Sequence, residues 1–220
     1  MAAKLDSLYE MVDINAVVGS HEAIGAAISE SNALIEGHFA LHQARHAVRA
    51  LRFRGIARNP TALKVVVDAL EASLPQAIAA EFPAAKVLSP ESAGFFLGNE
   101  LARRKGAQLI ICQTDMRRLP TKSLLSGTIE PNERVVIVND VAGTGASINA
   151  LRELVAERGG VLAGVILFGV VQPDKFREDC ERLALPSHCL VTGKWTTYTP
   201  EVDCPGCKAG LPLIPIAEFA

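Results

Sequence analysis

Apolar residues recur along the chain in short runs and in helical spacings, which predicts strands that alternate with helices. The clearest run, 135–138, consists of four β-branched residues and predicts a strand that is buried on both faces. Other apolar runs predict strands at 86–89, 108–112, 161–171 and 189–192. Helical spacing predicts helices at 59–82 with a break at Pro75, from the 90–94 turn through Arg104, after the turn at 143–147, and at 173–183. Strands separated by helical segments of this length predict an α/β fold with a mostly parallel sheet covered on both faces.

The N-terminal part of the chain has a different pattern. Residues 21–35 carry apolar side chains at helical spacing, which predicts an amphipathic helix that Gly37 closes. Between 37 and 58, cations and apolar residues roughly alternate, which predicts strands with one basic face.

Length and composition narrow the class of protein. A chain of 220 residues can bury one substantial core, so we expect one domain. A net charge of -2 gives no broad basic surface for nucleic acid or an anionic membrane. No apolar stretch is long enough to span a membrane or to form a signal peptide at the N-terminus, which predicts a cytoplasmic protein. Five cysteines, an odd and sparse number, argue against a disulfide framework.

The candidate chemistry lies directly after the 135–138 run. Polar Asn139 and Asp140 end the predicted strand, and a small-residue turn at 143–147 precedes a helix. Such a turn offers backbone N–H groups and hydroxyls to a phosphate at the positive end of a helix. The turn is neither a P-loop, because no lysine follows Gly145, nor a dinucleotide fingerprint, because Ile148 occupies the third glycine position. A sugar phosphate suits the pattern, with its hydroxyls on the polar pair, although an ordinary strand-to-helix turn is the alternative interpretation.

Two other segments are expected at the same edge of the sheet. Ligand sites in open parallel sheets lie at the carboxyl ends of strands. Residues 90–94 and 113–122 follow two predicted strands, as 139–147 follows a third. We therefore expect the three segments to form one site.

The 134–150 stretch resembles the 5-phosphoribosyl-1-pyrophosphate (PRPP) loop of the type I phosphoribosyltransferases. The pattern of that family is a hydrophobic strand, two acidic residues and a Thr/Gly-rich turn. Within that family the chain is most similar to the orotate phosphoribosyltransferases. The resemblance covers 33–46, 91–103, 126–134 and a C-terminal tail with Cys-Pro-x-Cys, in the order that the family has them.

The resemblance implies a type I phosphoribosyltransferase fold in which 59–189 form the core and 1–58 and 190–220 form a small hood and tail. It implies transfer of a phosphoribosyl group from PRPP to a base, most similar to transfer to orotate, with Mg²⁺, in a homodimer. Catalysis is expected from Asp140, Arg117, Arg118 and Lys122. Substrate contacts are expected from Asn139, Ala142, Gly143, Thr144, Gly145, Ala146, Ser147, Glu91, Ser92, Ala93, Gly94, Phe39 and Arg45.

The chain also departs from the family pattern. Asn139 replaces the first acidic residue, Gly143 stands where threonine is common, and the cationic loop at 114–122 matches only loosely. An asparagine keeps hydrogen bonding but lacks the charge of a carboxylate. Two alternatives therefore stay open: a phosphoribosyltransferase for another base, and a PRPP- or nucleotide-binding regulator with weakened turnover.

Cys204 and Cys207 have the spacing of zinc ligands. A closed structural zinc site needs four ligands, so two more would have to come from elsewhere, with Cys180 or the pair His188 and Cys189 as candidates.

Overall fold

The computed structural model describes residues 22–41, 45–116, 118–143, 145–193 and 196–215. Its helices are α1 (Glu22–Glu30), α2 (Phe53–Ala57), α3 (Pro60–Ser73), α4 (Gln76–Ala79), α5 (Ala93–Lys105), α6 (Ala146–Glu157), α7 (Pro173–Arg182) and α8 (Pro205–Lys208). Its strands are β1 (Leu34–Ala40), β2 (His46–Leu51), β3 (Lys86–Pro90), β4 (Leu109–Thr114), β5 (Pro120–Ser126), β6 (Arg134–Ala142), β7 (Val161–Val170), β8 (Ser187–Thr192) and β9 (Ile214–Pro215).

Six strands form the central sheet in the order β5-β4-β3-β6-β7-β8. All neighbours pair in parallel except β5, which runs antiparallel to β4 at one edge. Helical crossovers join the parallel strands, as that geometry requires. The predicted mostly parallel α/β sheet is therefore confirmed.

The continuous apolar runs of the central strands follow from burial on both faces. On β6, Val136 and Val138 pack into a core with α1, α2, α3 and α5, whereas Ile137 packs into a second core with α6. Adjacent residues of a strand point to opposite faces, so both faces of β6 need apolar side chains.

The boundaries of α3 have clear local causes. The Asn59 side chain accepts hydrogen bonds from the N–H groups of Thr61 (3.1 Å) and Ala62 (3.2 Å), and Pro60 occupies the first turn. Pro75 separates α3 from the short α4, as the sequence predicts.

A second, three-stranded sheet in the order β2-β1-β9 joins the N-terminal hairpin to the end of the described chain. The helix predicted for 21–35 is wrong in its C-terminal part, because α1 ends at Glu30 and Leu34 already begins β1. Gly37 lies inside β1, where a side chain would meet the Phe39 ring at 2.8 Å, and does not close a helix. Strands β1 and β2 confirm part of the prediction for 37–58, but residues 53–57 form helix α2 instead of a strand. His38, His46 and Arg49 are buried and do not form an exposed basic face.

Two further differences concern the central sheet. No strand was predicted between 113 and 132, but this segment contains β5. The residues of β5 are mostly exposed because it is an edge strand, so it lacks a hydrophobic run. Strand β6 continues past Asn139 and Asp140 to Ala142. In the described ranges, every helix is too short or too polar to cross a lipid bilayer.

Candidate active site

The turn after β6 is shaped for a ligand at the start of α6. Gly145 precedes the helix with φ 82°, a left-handed conformation that side chains disfavour. Its carbonyl accepts the Asn149 N–H at 2.9 Å. The N–H groups at the very start of a helix are the ones that bind anions in proteins.

A cavity of about 750 Å³ lies at the carboxyl edge of the central sheet, below the small sheet. Its size is in the range of small-molecule sites. Segments after β3, β4 and β6 meet there, as predicted, and the small sheet adds a fourth wall. The predicted residues that line it are Arg45, Ser92, Ala93, Arg118, Asn139, Asp140, Ala142, Gly143, Gly145, Ala146 and Ser147.

Asn139 is buried in the lining of the cavity, where its side chain forms a hydrogen bond with the backbone. Its Oδ1 accepts the N–H of Asp140 at 2.9 Å. Gly94 packs against it so closely that a Cβ atom there would lie 2.3 Å from Asn139 Oδ1. The absent side chain at Gly94 therefore lets α5 approach the end of β6.

Asp140 is half-buried beside Asn139 and faces the cavity. Burial raises the pKa of its carboxyl above the ordinary value, while backbone N–H groups and the charges of Arg118 and Arg54 oppose that shift. A carboxylate in such a setting can interact strongly with a nearby positive charge, because little water screens it.

Four cations line the cavity: Arg45, Arg49, Arg118 and Lys175. Among the described lining residues, Asp140 is the one carboxylate. Glu36 partly neutralises Arg49 from outside at 3.2 Å, and Asp179 does so for Lys175 at 2.6 Å. The excess of positive charge favours an anionic ligand.

Arg45 is held in place by the C-terminal segment. Its guanidinium donates hydrogen bonds to the Thr197 carbonyl at 2.6 Å and to Thr199 Oγ1 at 2.8 Å. The wall that the small sheet contributes to the cavity is thus tied to residues more than 150 positions later in the chain.

Several predicted residues do not line the cavity. Lys122 lies on β5, exposed, in an ion pair with Glu157. Phe39 is buried beside Gly37, Glu91 is exposed, and Gly94 packs under Asn139. Arg117 and Thr144 fall outside the described residues.

Other lining residues were missed in the sequence. Gln172 and Lys175 follow β7, so the rule that sites lie at the carboxyl ends of strands could have found them. Arg49 and Thr197 come from the small sheet and the tail. No sequence pattern marks them, because their position depends on long-range packing.

Cys204 and Cys207 lie away from this cavity's lining, next to His38 and His46. The partners suggested by sequence lie elsewhere: His188 bonds to Ser73 Oγ at 2.9 Å, and Cys180 and Cys189 line a separate cleft. Within the described chain, two histidines of the small sheet therefore replace the partners suggested by the sequence.

Known proteins of similar sequence are orotate phosphoribosyltransferases. The orotate phosphoribosyltransferase of Pelotomaculum thermopropionicum is 29% identical over 195 residues, covering 89% of this chain and 96% of that protein. The enzyme of Chlorobaculum parvum is 30% identical over 189 residues, covering 86% of this chain and 91% of that protein.

Solved structures show the same fold. The orotate phosphoribosyltransferase of Aeropyrum pernix superposes with a TM-score of 0.61 at 20% identity, covering 77% of this chain and 93% of that one. No model of a protein family matches the sequence. The similarity to the Chlorobaculum protein extends over most of both chains, and this protein therefore belongs to the orotate phosphoribosyltransferase family.

Proposed function

We propose that the protein transfers the 5-phosphoribosyl group of PRPP to a ring nitrogen of orotate, releasing pyrophosphate and forming orotidine 5′-monophosphate. The observation that carries this proposal is a turn of small residues and a carboxylate, both at the end of β6, inside a cation-lined cavity. Membership of the orotate phosphoribosyltransferase family supports the same reaction.

The 5′-phosphate is assigned to the turn from Gly143 to Ser147. Backbone N–H groups at the start of α6 and the Ser147 hydroxyl can donate hydrogen bonds to its oxygens, and the helix dipole favours its charge. The predicted contact from Thr144 belongs to this same turn.

Asp140 is assigned to the ribose. The departing pyrophosphate leaves positive charge on the sugar, and a carboxylate beside the ring stabilises that charge more in the transition state than in the ground state. Asn139 is a neutral amide whose Oδ1 already accepts the Asp140 N–H, so Asp140 supplies the charge of the pair. Because this chain has one carboxylate where the family pattern has two, we expect the reaction to be slowed more than PRPP binding is weakened.

Pyrophosphate is assigned to the part of the lining that follows β3 and β4, which Ser92, Ala93 and Arg118 contribute. Arg118, with Arg117 as predicted from the sequence, would neutralise charge on the leaving oxygens. Mg²⁺ fits this site because the ion is commonly held by one or two carboxylates together with substrate phosphates, and Asp140 is a suitable carboxylate. When bound, the ion would neutralise charge on the pyrophosphate.

The base is assigned to the end of the cavity under the small sheet. Leu41 and Ala47 offer apolar contacts there, and Arg45 and Arg49 offer positive charge to a carboxylate such as that of orotate. The conformation of Arg45 is already fixed by Thr197 and Thr199, so little side-chain entropy is lost on binding.

The domain organisation and the oligomeric state are proposed on the same basis. We place 59–189 in a catalytic core and 1–58 and 190–220 in a hood and tail of one domain, and we propose a homodimer. Light scattering on the purified protein would test the dimer, with a monomeric mass as the opposing result.

Pyrophosphate release from PRPP, measured with orotate and with a panel of other bases, tests the reaction. Orotate turnover supports the proposal, and turnover with another base alone would replace orotate as the substrate. Tight PRPP binding without turnover on any base would indicate a binding protein instead.

Asp140→Ala tests the site, with a loss of turnover of roughly 100-fold or more expected for removal of a charge-stabilising group. Asp68→Ala is the matched control, because that aspartate lies on α3 in an ion pair with Arg104 and does not line the cavity. Equal turnover in both variants would contradict the assignment of Asp140.

A further inference from the structure

Four metal-binding side chains converge where the small sheet meets the C-terminal tail. His38 comes from β1, His46 from β2, and Cys204 and Cys207 from the turn that forms α8. One ligand atom from each residue lies within 4.8 Å of all the others. His38, His46 and Cys204 are buried, at 4%, 7% and 0% exposure.

Three nitrogen-to-sulfur distances are close to those of a tetrahedral metal site. His38 Nε2 lies 3.4 Å from Cys204 Sγ and 3.5 Å from Cys207 Sγ, and His46 Nδ1 lies 3.3 Å from Cys207 Sγ. Bond lengths of about 2.0 Å to nitrogen and 2.3 Å to sulfur place tetrahedral ligands roughly 3.3–3.8 Å apart. The two nitrogens, 2.8 Å apart, would separate by about half an ångström around an ion with those bond lengths.

The surrounding hydrogen bonds orient the ligand atoms inward. His38 Nδ1 lies 3.0 Å from the Leu211 carbonyl, an acceptor, so that nitrogen carries the ring proton. Nε2 is then left with a lone pair directed at the cluster. A metal-bound histidine is usually fixed in this way by a hydrogen bond from its other nitrogen.

The Cys-Pro-Gly-Cys turn is shaped around the same point. The backbone N–H groups of Gly206 and Cys207 donate hydrogen bonds to the sulfur of Cys204 and so hold it in place beside the other three side chains. A Cβ atom at Gly206 would lie 2.5 Å from the His38 ring, so only glycine allows the turn to pack on that histidine.

We propose that His38 Nε2, His46 Nδ1, Cys204 Sγ and Cys207 Sγ bind one structural Zn²⁺ ion. Two thiolates and two imidazoles are a preferred donor set for zinc, and four protein ligands leave no open position for catalysis. This proposal is independent of the reaction proposed above.

The ion would join two parts of the chain that are distant in sequence. The pairing of β9 with β1 covers two residue pairs, and an isolated bridge links His46 to Tyr198. Such short pairing gives little stability by itself. Zinc would hold the tail against the hairpin and so fix the segment that positions Arg45 over the cavity.

Metal analysis of the purified full-length protein is the first test, with about one zinc per chain expected. The double variant Cys204→Ser/Cys207→Ser should lose the metal. Cys189→Ser is the matched control, because this half-buried cysteine lies outside the cluster, and it should retain the metal. Zinc in the double variant equal to that in the parent would overturn the site.

Cobalt substitution covers the case in which the double variant fails to fold. The parent protein, stripped of metal under reducing conditions and titrated with Co²⁺, should show thiolate-to-cobalt charge transfer and the ligand-field bands of a tetrahedral complex. A protein isolated without zinc that also gives no such spectrum would show that the histidines form only a hydrogen-bonded pair, and the proposal would fall. Neither readout uses enzyme activity.

Discussion

Replacing Gly94 by alanine would test how the helix after β3 supports the active site. A Cβ atom at this position would lie 2.3 Å from Asn139 Oδ1, 3.1 Å from Asn139 Cα and 3.2 Å from the Asp140 nitrogen. The first distance is far too short for ordinary contact, and the other two involve backbone atoms. The clash therefore acts directly on the residues that present the Asp140 carboxylate.

The magnitude follows from the two ways in which the clash can be relieved. If Asn139 rotates, its Oδ1 loses the Asp140 N–H that it accepts at 2.9 Å, which costs about 1–3 kcal/mol for an unpaired buried group. If α5 moves away from β6, overpacking costs about 1–3 kcal/mol. Either adjustment shifts Asp140, and a shift of about 1 Å at a catalytic group can slow the reaction by roughly 100-fold.

Denaturant unfolding and steady-state kinetics on Gly94→Ala would measure both effects. We expect the free energy of unfolding to fall by about 1–3 kcal/mol and turnover to slow by about 10-fold to 100-fold. Ile78→Val, a fully buried change on α4 that costs about 0.5–1.5 kcal/mol, controls for destabilisation alone and should leave turnover unchanged. A Gly94→Ala enzyme whose turnover stays within twofold of the parent would refute the reasoning.

Three further predictions concern charge. Arg103 and Arg104 hold the pKa of Glu100 at about 2, against an ordinary 4.5. After solvent screening, we expect these ion pairs to add roughly 1 kcal/mol to the free energy of unfolding above pH 4.5, a contribution that is lost as pH falls towards 2. Glu100→Gln should flatten this part of the stability curve in urea unfolding, and an unchanged slope would contradict the network. Burial raises the pKa of Asp140, so kcat/KM should begin to fall, as the pH is lowered, at a pH above the ordinary pKa of aspartate. Asp140→Asn should remove this acidic limb from the pH–rate profile. Lys122→Ala should change turnover less than twofold, because Lys122 is exposed and paired with Glu157 outside the cavity. A loss of turnover of about 10-fold would instead support the catalytic role predicted from the sequence.

Local pattern was sufficient where the cause of the structure is local. The run 135–138 predicted a strand buried on both faces, and Asn59-Pro60 predicted the start of a helix whose first N–H groups are capped by Asn59. The turn after β6 was found because it needs small residues within a few positions of each other. The sheet edge on which the cavity lies was predicted from the order of strands and helices, because ligand sites in open parallel sheets lie at the carboxyl ends of the strands.

The sequence pattern gave wrong predictions where solvent exposure or contacts between distant residues determine the structure. Strand β5 has few apolar residues because it is an edge strand, and the helix predicted for 21–35 ends early because residues from Leu34 pair with β2 and β9. Lys122 looked catalytic from its place in a cationic segment, but its position on β5 directs it to Glu157.

The sequence by itself determined the parallel α/β core, the turn of small residues after β6 and the polar end of β6, since these depend on hydrophobic periodicity and on the backbone freedom of neighbouring residues. Only the tertiary structure decided that Arg45 is fixed by Thr197 over the cavity. It alone placed His38 and His46, and not Cys180 or Cys189, beside the C-terminal cysteines. Those contacts join residues more than 150 positions apart, and the packing of the whole chain determines which distant segments meet.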